Sequence, residues 1–213
     1  MTAARDIKTL GQYDSNVFTT AIYKSFQRQE LYRVAVVFDV YGKDSLKSET
    51  RERRGSGARI SVRQTTPTWG EWQQFLRDDD NETELFGLLA DKLVSNCPPN
   101  RMILARSIDR ALCSTEIDRT GVSPCNHEEA DTRIFVHVEH PADSSDQKIA
   151  VKTVDTDVVF LAISLFQSIQ IEELWVEFGV GKHQRWLPIH EYATNLGESI
   201  CNGLRFLACF YWV

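Results

Sequence analysis

No stretch of this chain approaches the about 18 consecutive apolar residues that a membrane-spanning helix requires. Its first residues, Met1-Thr2-Ala3-Ala4-Arg5-Asp6, lack the apolar centre of a secretory signal. The five cysteines, Cys97, Cys113, Cys125, Cys201 and Cys209, are an odd set without a Cys-x-x-Cys pair. That excludes an obvious disulfide framework and reads as free thiols in a reducing compartment. An overall basic character is also missing, since the formal net charge is -6. A nucleic-acid binder usually carries the opposite sign. There is no internal repeat and no low-complexity tract. The expected setting is intracellular, nuclear or cytoplasmic, away from membranes.

What is present fits one globular domain spanning residues 1–213, with 42% hydrophobic and 25% charged residues. Charge is unevenly distributed. Lys43, Lys47, Arg51, Arg53, Arg54, Arg59 and Arg63 face only Asp44, Glu49 and Glu52 within one segment, whereas Asp78-Asp79-Asp80 is wholly acidic. Apolar spacing predicts helices over residues 8–30 and 81–94, and over 128–140, where β-branched content leaves a strand open. Two further helices are expected over 158–168 and 190–206. Strands are expected over 34–38, 102–105, 149–154 and 174–178. Residues 43–63 start helically and break at Gly55-Ser56-Gly57, and Thr65 to Trp72 reads as a loop entering a helix. Alternating strands and helices predict an α/β fold, a mostly parallel sheet flanked by helices on both faces.

Three acidic elements stand at the ends of these segments. Asp39 ends the run Val34-Ala35-Val36-Val37-Phe38; Glu128, Glu129 and Asp131 lie in His127-Glu128-Glu129-Ala130-Asp131-Thr132; Asp155 and Asp157 follow the run ending at Val154. Ligands of such folds sit at the carboxyl ends of strands, which is where Asp39, Asp155 and Asp157 fall. Two unit charges 4 Å apart repel by about 4 kcal/mol at an effective dielectric near 20. Gathered carboxylates therefore need a cation, protons or open water. Simpler roles also exist for each: Asp155 or Thr156 as a helix cap, Asp39 as a turn residue, Glu128, Glu129 and Asp131 as first-turn acids that complement a helix dipole.

Taken together, the segments Val36-Val37-Phe38-Asp39-Val40-Tyr41, Thr50-Arg51-Glu52-Arg53-Arg54-Gly55, Trp72-Gln73-Gln74-Phe75-Leu76-Arg77, His127 through Arg133, Thr153 through Val159 and Leu174 through Gly179 with Gly181-Lys182 carry a resemblance. The chain resembles the PIN-like (flap endonuclease-like) 5′-nuclease superfamily, and more closely a group of uncharacterised metazoan proteins with a divergent PIN-like domain. The resemblance covers residues from about Arg33 to Leu204. It implies a three-layer α/β fold and phosphodiester hydrolysis on DNA or RNA. Asp39, Glu129, Asp131, Asp155 and Asp157 would be catalytic metal ligands, with Glu128 a substitute, around a pair of Mg²⁺ or Mn²⁺ ions. Hard carboxylate oxygens suit such ions, and two of them can activate the attacking water and stabilise the leaving oxygen. Lys47 and Arg54, with Arg51 beside them, fall where those enzymes contact the scissile phosphate. The alternative for this basic stretch is a solvated helix face.

The chain departs from that pattern at both ends. Nothing before Val34 looks like the aspartate-bearing strand that opens the family's sheet, so the expected fold lacks its first central strand. After the last helix it runs into Phe206-Leu207-Ala208-Cys209-Phe210-Tyr211-Trp212-Val213, where relatives of that group continue with a Thr-Gly-Cys-Asp element. Truncation at both ends is the resulting expectation. Two alternatives therefore stay open: a catalytically silent module that binds nucleic acid or protein, and a gene fragment without function. Gly179-Val180-Gly181-Lys182-His183 lacks Walker spacing, Cys125-Asn126-His127 has no second ligand pair for zinc, and His183 and His190 have no nucleophile partner. The tryptophans are expected to pack rather than to stack on bases.

Overall fold

Helices and strands alternate through the described part of the computed structural model, residues 7–29, 31–39, 57–68, 72–106, 111–118, 122, 130–140 and 148–210. These fall into two compact units, Met1–Glu129 and Ala130–Val213. Among the described residues the fold class is mixed α/β, with two three-stranded sheets, one in each unit.

In the first unit, α1 (Leu10–Tyr13) passes through a π-helical turn (Asp14–Phe18) into α2 (Thr19–Gln29). The Thr9 side chain caps α1 by accepting from Gln12 N, which satisfies one orphan donor of the first turn. Asp14 is buried in the π-turn and takes a hydrogen bond from Thr19 Oγ1 at 2.8 Å. Burial pushes its carboxyl pKa up, and the Thr19 bond and the charge of Lys92 oppose that shift. Strand β1 (Arg33–Val36) pairs in parallel with β2 (Met102–Arg106), and β3 (Ala111–Cys113) pairs antiparallel to β2.

Among the described residues this unit also holds the short helix α3 (Trp72–Phe75) and the long α4 (Asp79–Ser95). Asp78 caps α4, acids fill its first turn and Lys92 lies in its last, the polarity that the helix dipole favours. Leu85, Leu89 and Leu93 recur every fourth residue and are fully buried. Leu85 and Leu89 join Leu10, Tyr13, Phe38, Trp72 and Ala105 in one cluster. Leu93 joins Phe26 and Ile103 in another. Trp72 packs against Tyr13 and Phe75, with ring centroids 5.2 and 5.4 Å apart.

The second unit contains α5 (Ala130–Glu139), β4 (Lys148–Thr153), α6 (Thr156–Leu165), β5 (Glu173–Phe178), β6 (Arg185–Pro188) and α7 (Ile189–Phe210). Strands β4 and β5 are parallel, and β6 returns antiparallel to β5. Val151, Leu174 and Val176 project into a core shared with Phe135, Val158, Ala162, Ile189 and Ala193 from the three helices. Lys148, Ala150 and Lys152 alternate with the core-facing residues of β4 and are exposed. This alternation of burial fits a strand covered on one side. Lys148 and Lys152 pair across the sheet with Glu173 and Glu177, at 2.6 and 2.8 Å. Helix α7 is interrupted at Gly197, whose φ of 76° and ψ of 164° lie outside helical space. Glycine reaches that conformation without the steric penalty of a side chain.

The helix predicted over 8–30 and the helices and strands expected from residue 81 onward are present, with shifted ends. Among the described residues the strands form two small mixed sheets, each with one parallel and one antiparallel pair. Strands β3 and β6, with 3 and 4 residues, had no counterpart in the sequence reading. No strand precedes β1 among the described residues. The helix expected around Lys47–Arg54 lies outside them.

Candidate functional site

Strand β4 ends at Thr153, and the next residues form a hydrogen-bonded turn. Asp155 N donates to Thr153 Oγ1 at 3.0 Å, and Asp155 Oδ1 accepts from Asp157 N at 2.9 Å. Asp155, with φ -93° and ψ 129°, is therefore the cap of α6, and Asp157 lies in its first turn. Both carboxylates are exposed. The cap uses Oδ1, so it leaves Oδ2 to point elsewhere. Capping and cation binding are thus compatible at Asp155. The turn after β5 lies beside this one, because Gly179 N donates to Thr153 O at 3.0 Å. Gly179 has a φ of 91°, and a Cβ there would meet His183 O at 2.8 Å.

Asp131 is in the first turn of α5 and half-buried. Phe135 and Val138 of α5 share a core with Val158 of α6, so the second unit holds Asp131, Asp155 and Asp157 at the starts of two helices that belong to one cluster. Asp39 belongs to the first unit, where it follows Phe38 and is half-buried. Glu128 and Glu129 lie outside the described residues, as do Lys47, Arg51 and Arg54. Among the described residues no group of three or more His, Cys, Asp or Glu side chains is gathered as a metal ion would need.

Asp155 and Asp157 are two exposed carboxylates at one helix start, joined through the Asp157 N–H. Mg²⁺ keeps several waters and is bound through one or two carboxylates, which Asp155 and Asp157 can supply. A two-ion centre would need Asp131 and the Glu128-Glu129 pair in addition.

Of the basic segment, the structure describes Arg59 and Arg63. Arg59 is engaged within the chain: its guanidinium pairs with Glu84, and its Nε lies 3.7 Å from Asp80. Glu84 also accepts from Val62 N at 2.9 Å. That backbone hydrogen bond, followed by the one from Arg59, holds the Glu84 carboxyl below the usual range against the opposing effect of burial.

Sequence reasoning missed this contact. Its signal was Asn81, a fully buried polar residue on the same helical stripe as Leu85 and Leu89, whose Oδ1 accepts from Arg59 at 3.1 Å and from Ile60 N at 2.7 Å. Such a residue has to find partners when it is buried. His190 binds Leu174 O through Nδ1 at 3.0 Å and packs edge-on against Trp175, a structural role. Trp186, expected to pack, is exposed.

Compared with known protein families, curated proteins and solved structures, the chain matches none. Among the described residues, no helix is long and apolar enough to cross a membrane.

Proposed function

We propose that the chain is a divergent metal-dependent nuclease-like domain acting on phosphodiester bonds of DNA or RNA. The observation that carries this reading is the exposed Asp155-Thr156-Asp157 turn, placed where the parallel strand β4 ends and α6 begins. In this reading Asp155, Asp157 and Asp131 hold Mg²⁺ or Mn²⁺ together with Glu129, or with Glu128 in its place. Asp39 enters as a ligand through the sequence resemblance alone. Bound ions of this kind would activate the attacking water and stabilise the leaving oxygen. The chain's own part is to hold Asp155: its backbone N–H donates to Thr153 Oγ1, and the Asp157 N–H orients its carboxylate before any cation arrives. Lys47, Arg51 and Arg54 neutralise backbone phosphates. A PIN-like sheet flanked by helices on both faces is part of the proposal, and the parallel pairs β1/β2 and β4/β5 support it.

A second reading, a catalytically silent nucleic-acid or protein-binding module, is favoured by one specific fact. Asp155 already has a complete structural role as a helix cap. Thermal unfolding with and without Mn²⁺, alongside cleavage of flapped and single-stranded DNA, separates the two. A nuclease gains melting temperature by mass action and cuts, and Asp155→Ala with Asp157→Ala abolishes both effects. Nucleic-acid binding without either effect selects the silent module.

A further inference from the structure

Beside the Asp155–Asp157 turn stands a basic one. Strands β4 and β5 are parallel and in register from Lys148 opposite Glu173 to Thr153 opposite Phe178. The segments that follow Thr153 and Phe178 therefore leave the same end of the sheet, and Gly179 N–H binds Thr153 O across it. The chain then makes the 3-10 turn Gly181–His183 and returns as β6. His183 N–H to Val180 O and Gln184 N–H to Gly181 O, both 3.2 Å, close that turn. Gly181 has a φ of 56°, while a Cβ there would meet nothing within 4 Å. Backbone conformation rather than crowding calls for its glycine.

This end of the sheet is open to water. Val154 and Val180, which follow Thr153 and Gly179, are 66% and 67% exposed. Asp155, Asp157, Lys182 and His183 are exposed as well.

The cations of this unit differ in what already holds them. Lys148 and Lys152 are paired with Glu173 and Glu177, and the Arg185 guanidinium lies 5.5 Å from the centre of the Phe178 ring. Lys182 has no carboxylate partner among the described residues. Opposite charges thus stand on adjoining turns without pairing to each other, an arrangement suited to a ligand held by both. Mg²⁺ is bound through one or two carboxylates together with substrate phosphates. Two aspartates and a divalent cation sum to zero charge, so a phosphodiester entering there brings one negative charge that lacks a counterpart. An ammonium on the next turn supplies it.

We propose that Lys182 is a substrate-binding residue of the Asp155–Asp157 site, where its ammonium takes an oxygen of a nucleic-acid backbone phosphate. The proposal rests on the reading above that the two aspartates bind a divalent cation. It assigns a role to the Gly181-Lys182-His183 turn, whose spacing excludes a Walker loop.

The test uses the full chain and a labelled single-stranded oligonucleotide with a phosphorothioate backbone, which slows cleavage. Kd is followed by anisotropy across a salt series, in Mn²⁺ and in EDTA. In Mn²⁺, Lys182→Ala should weaken binding about tenfold, the loss of one charge-assisted hydrogen bond. It should also lower the slope of log K against log salt by about 1, and Lys182→Arg should restore both. In EDTA the aspartates repel the phosphate, so the Lys182→Ala deficit should shrink to under about twofold. Lys148→Ala removes the same charge from the far end of β4 and should leave affinity near wild type. The Mn²⁺-dependent rise in melting temperature should survive in Lys182→Ala, because the carboxylates remain.

Binding in Mn²⁺ that ignores Lys182→Ala, a deficit as large in EDTA as in Mn²⁺, or one matched by Lys148→Ala would overturn the proposal alone. A wild type whose melting temperature ignores Mn²⁺ would overturn the metal reading, and the proposal with it.

Discussion

Asp155 accepts the backbone N–H of Asp157 at 2.9 Å, so one carboxylate is at once the start of a helix and a candidate metal ligand. The two roles differ in what they demand. A cap needs a side-chain oxygen, whereas a cation needs negative charge.

Asp155→Asn separates them. Asparagine caps about as well as aspartate, whereas alanine in place of a good cap costs about 1 kcal/mol. Urea unfolding should find Asp155→Asn near wild type and Asp155→Ala weaker by that amount. If Asp155 binds metal, both should lose the Mn²⁺-dependent rise in melting temperature. A full rise in Asp155→Asn would assign this residue to capping alone.

Glu84 makes the first unit sensitive to acid. Its folded pKa is depressed by the Val62 N–H and by Arg59. The stabilisation is therefore complete above the unfolded carboxyl pKa and is lost as pH falls through the folded one. Unfolding free energies measured from pH 7 downward should decline less steeply in Glu84→Gln than in wild type. Parallel declines would contradict this assignment.

Asn81→Ala should destabilise the chain by about 1–3 kcal/mol, because Ile60 N–H and Ala58 C=O lose their partner inside the protein. Asn81→Asp keeps the acceptor for Ile60 but turns a carboxylate oxygen toward the Ala58 and Phe75 carbonyls and buries its charge, so it should cost at least as much as alanine. Chemical denaturation of the variants ranks them directly.

Leu174 is fully buried on β5 in the second core. Truncation to alanine should cost about 2–5 kcal/mol, as for other large-to-small changes in packed cores. A smaller loss in urea unfolding would mean that the site collapses around the gap.

The two cross-strand ion pairs of the second sheet should contribute unequally. Glu173 and Lys148 are both accessible to water, and a double-mutant cycle should find below about 1 kcal/mol of coupling. Glu177 has a side chain only 9% exposed, so its pairing with Lys152 is less screened. Cycles run at low and high salt should show the larger and less salt-sensitive coupling for Lys152–Glu177.

Much of this architecture was legible because it is local. Leu85, Leu89 and Leu93 announce α4 by their spacing, and Thr153 to Asp157 marks a strand end running into a capped helix. Strands β3 and β6 were not legible, since 3 and 4 residues are too few to set a period. The run from Ile149 was read for its apolar content, although Lys148 and Lys152 already signalled an alternating strand. At the candidate site, the Asp155–Asp157 contact followed from adjacency in the chain. The contacts of Asn81 with Ala58 and Ile60 span 23 and 21 residues. Nothing in a local window encodes such a partnership.

Lys148 and Lys152 have one more effect. Strand β4 is an outer strand of its sheet among the described residues, and outer strands are templates on which foreign chains can stack. A strand arriving there would have to strip water from two ammonium groups four positions apart. Replacing both with valine would remove that barrier and, with it, the cations that Glu173 and Glu177 pair with.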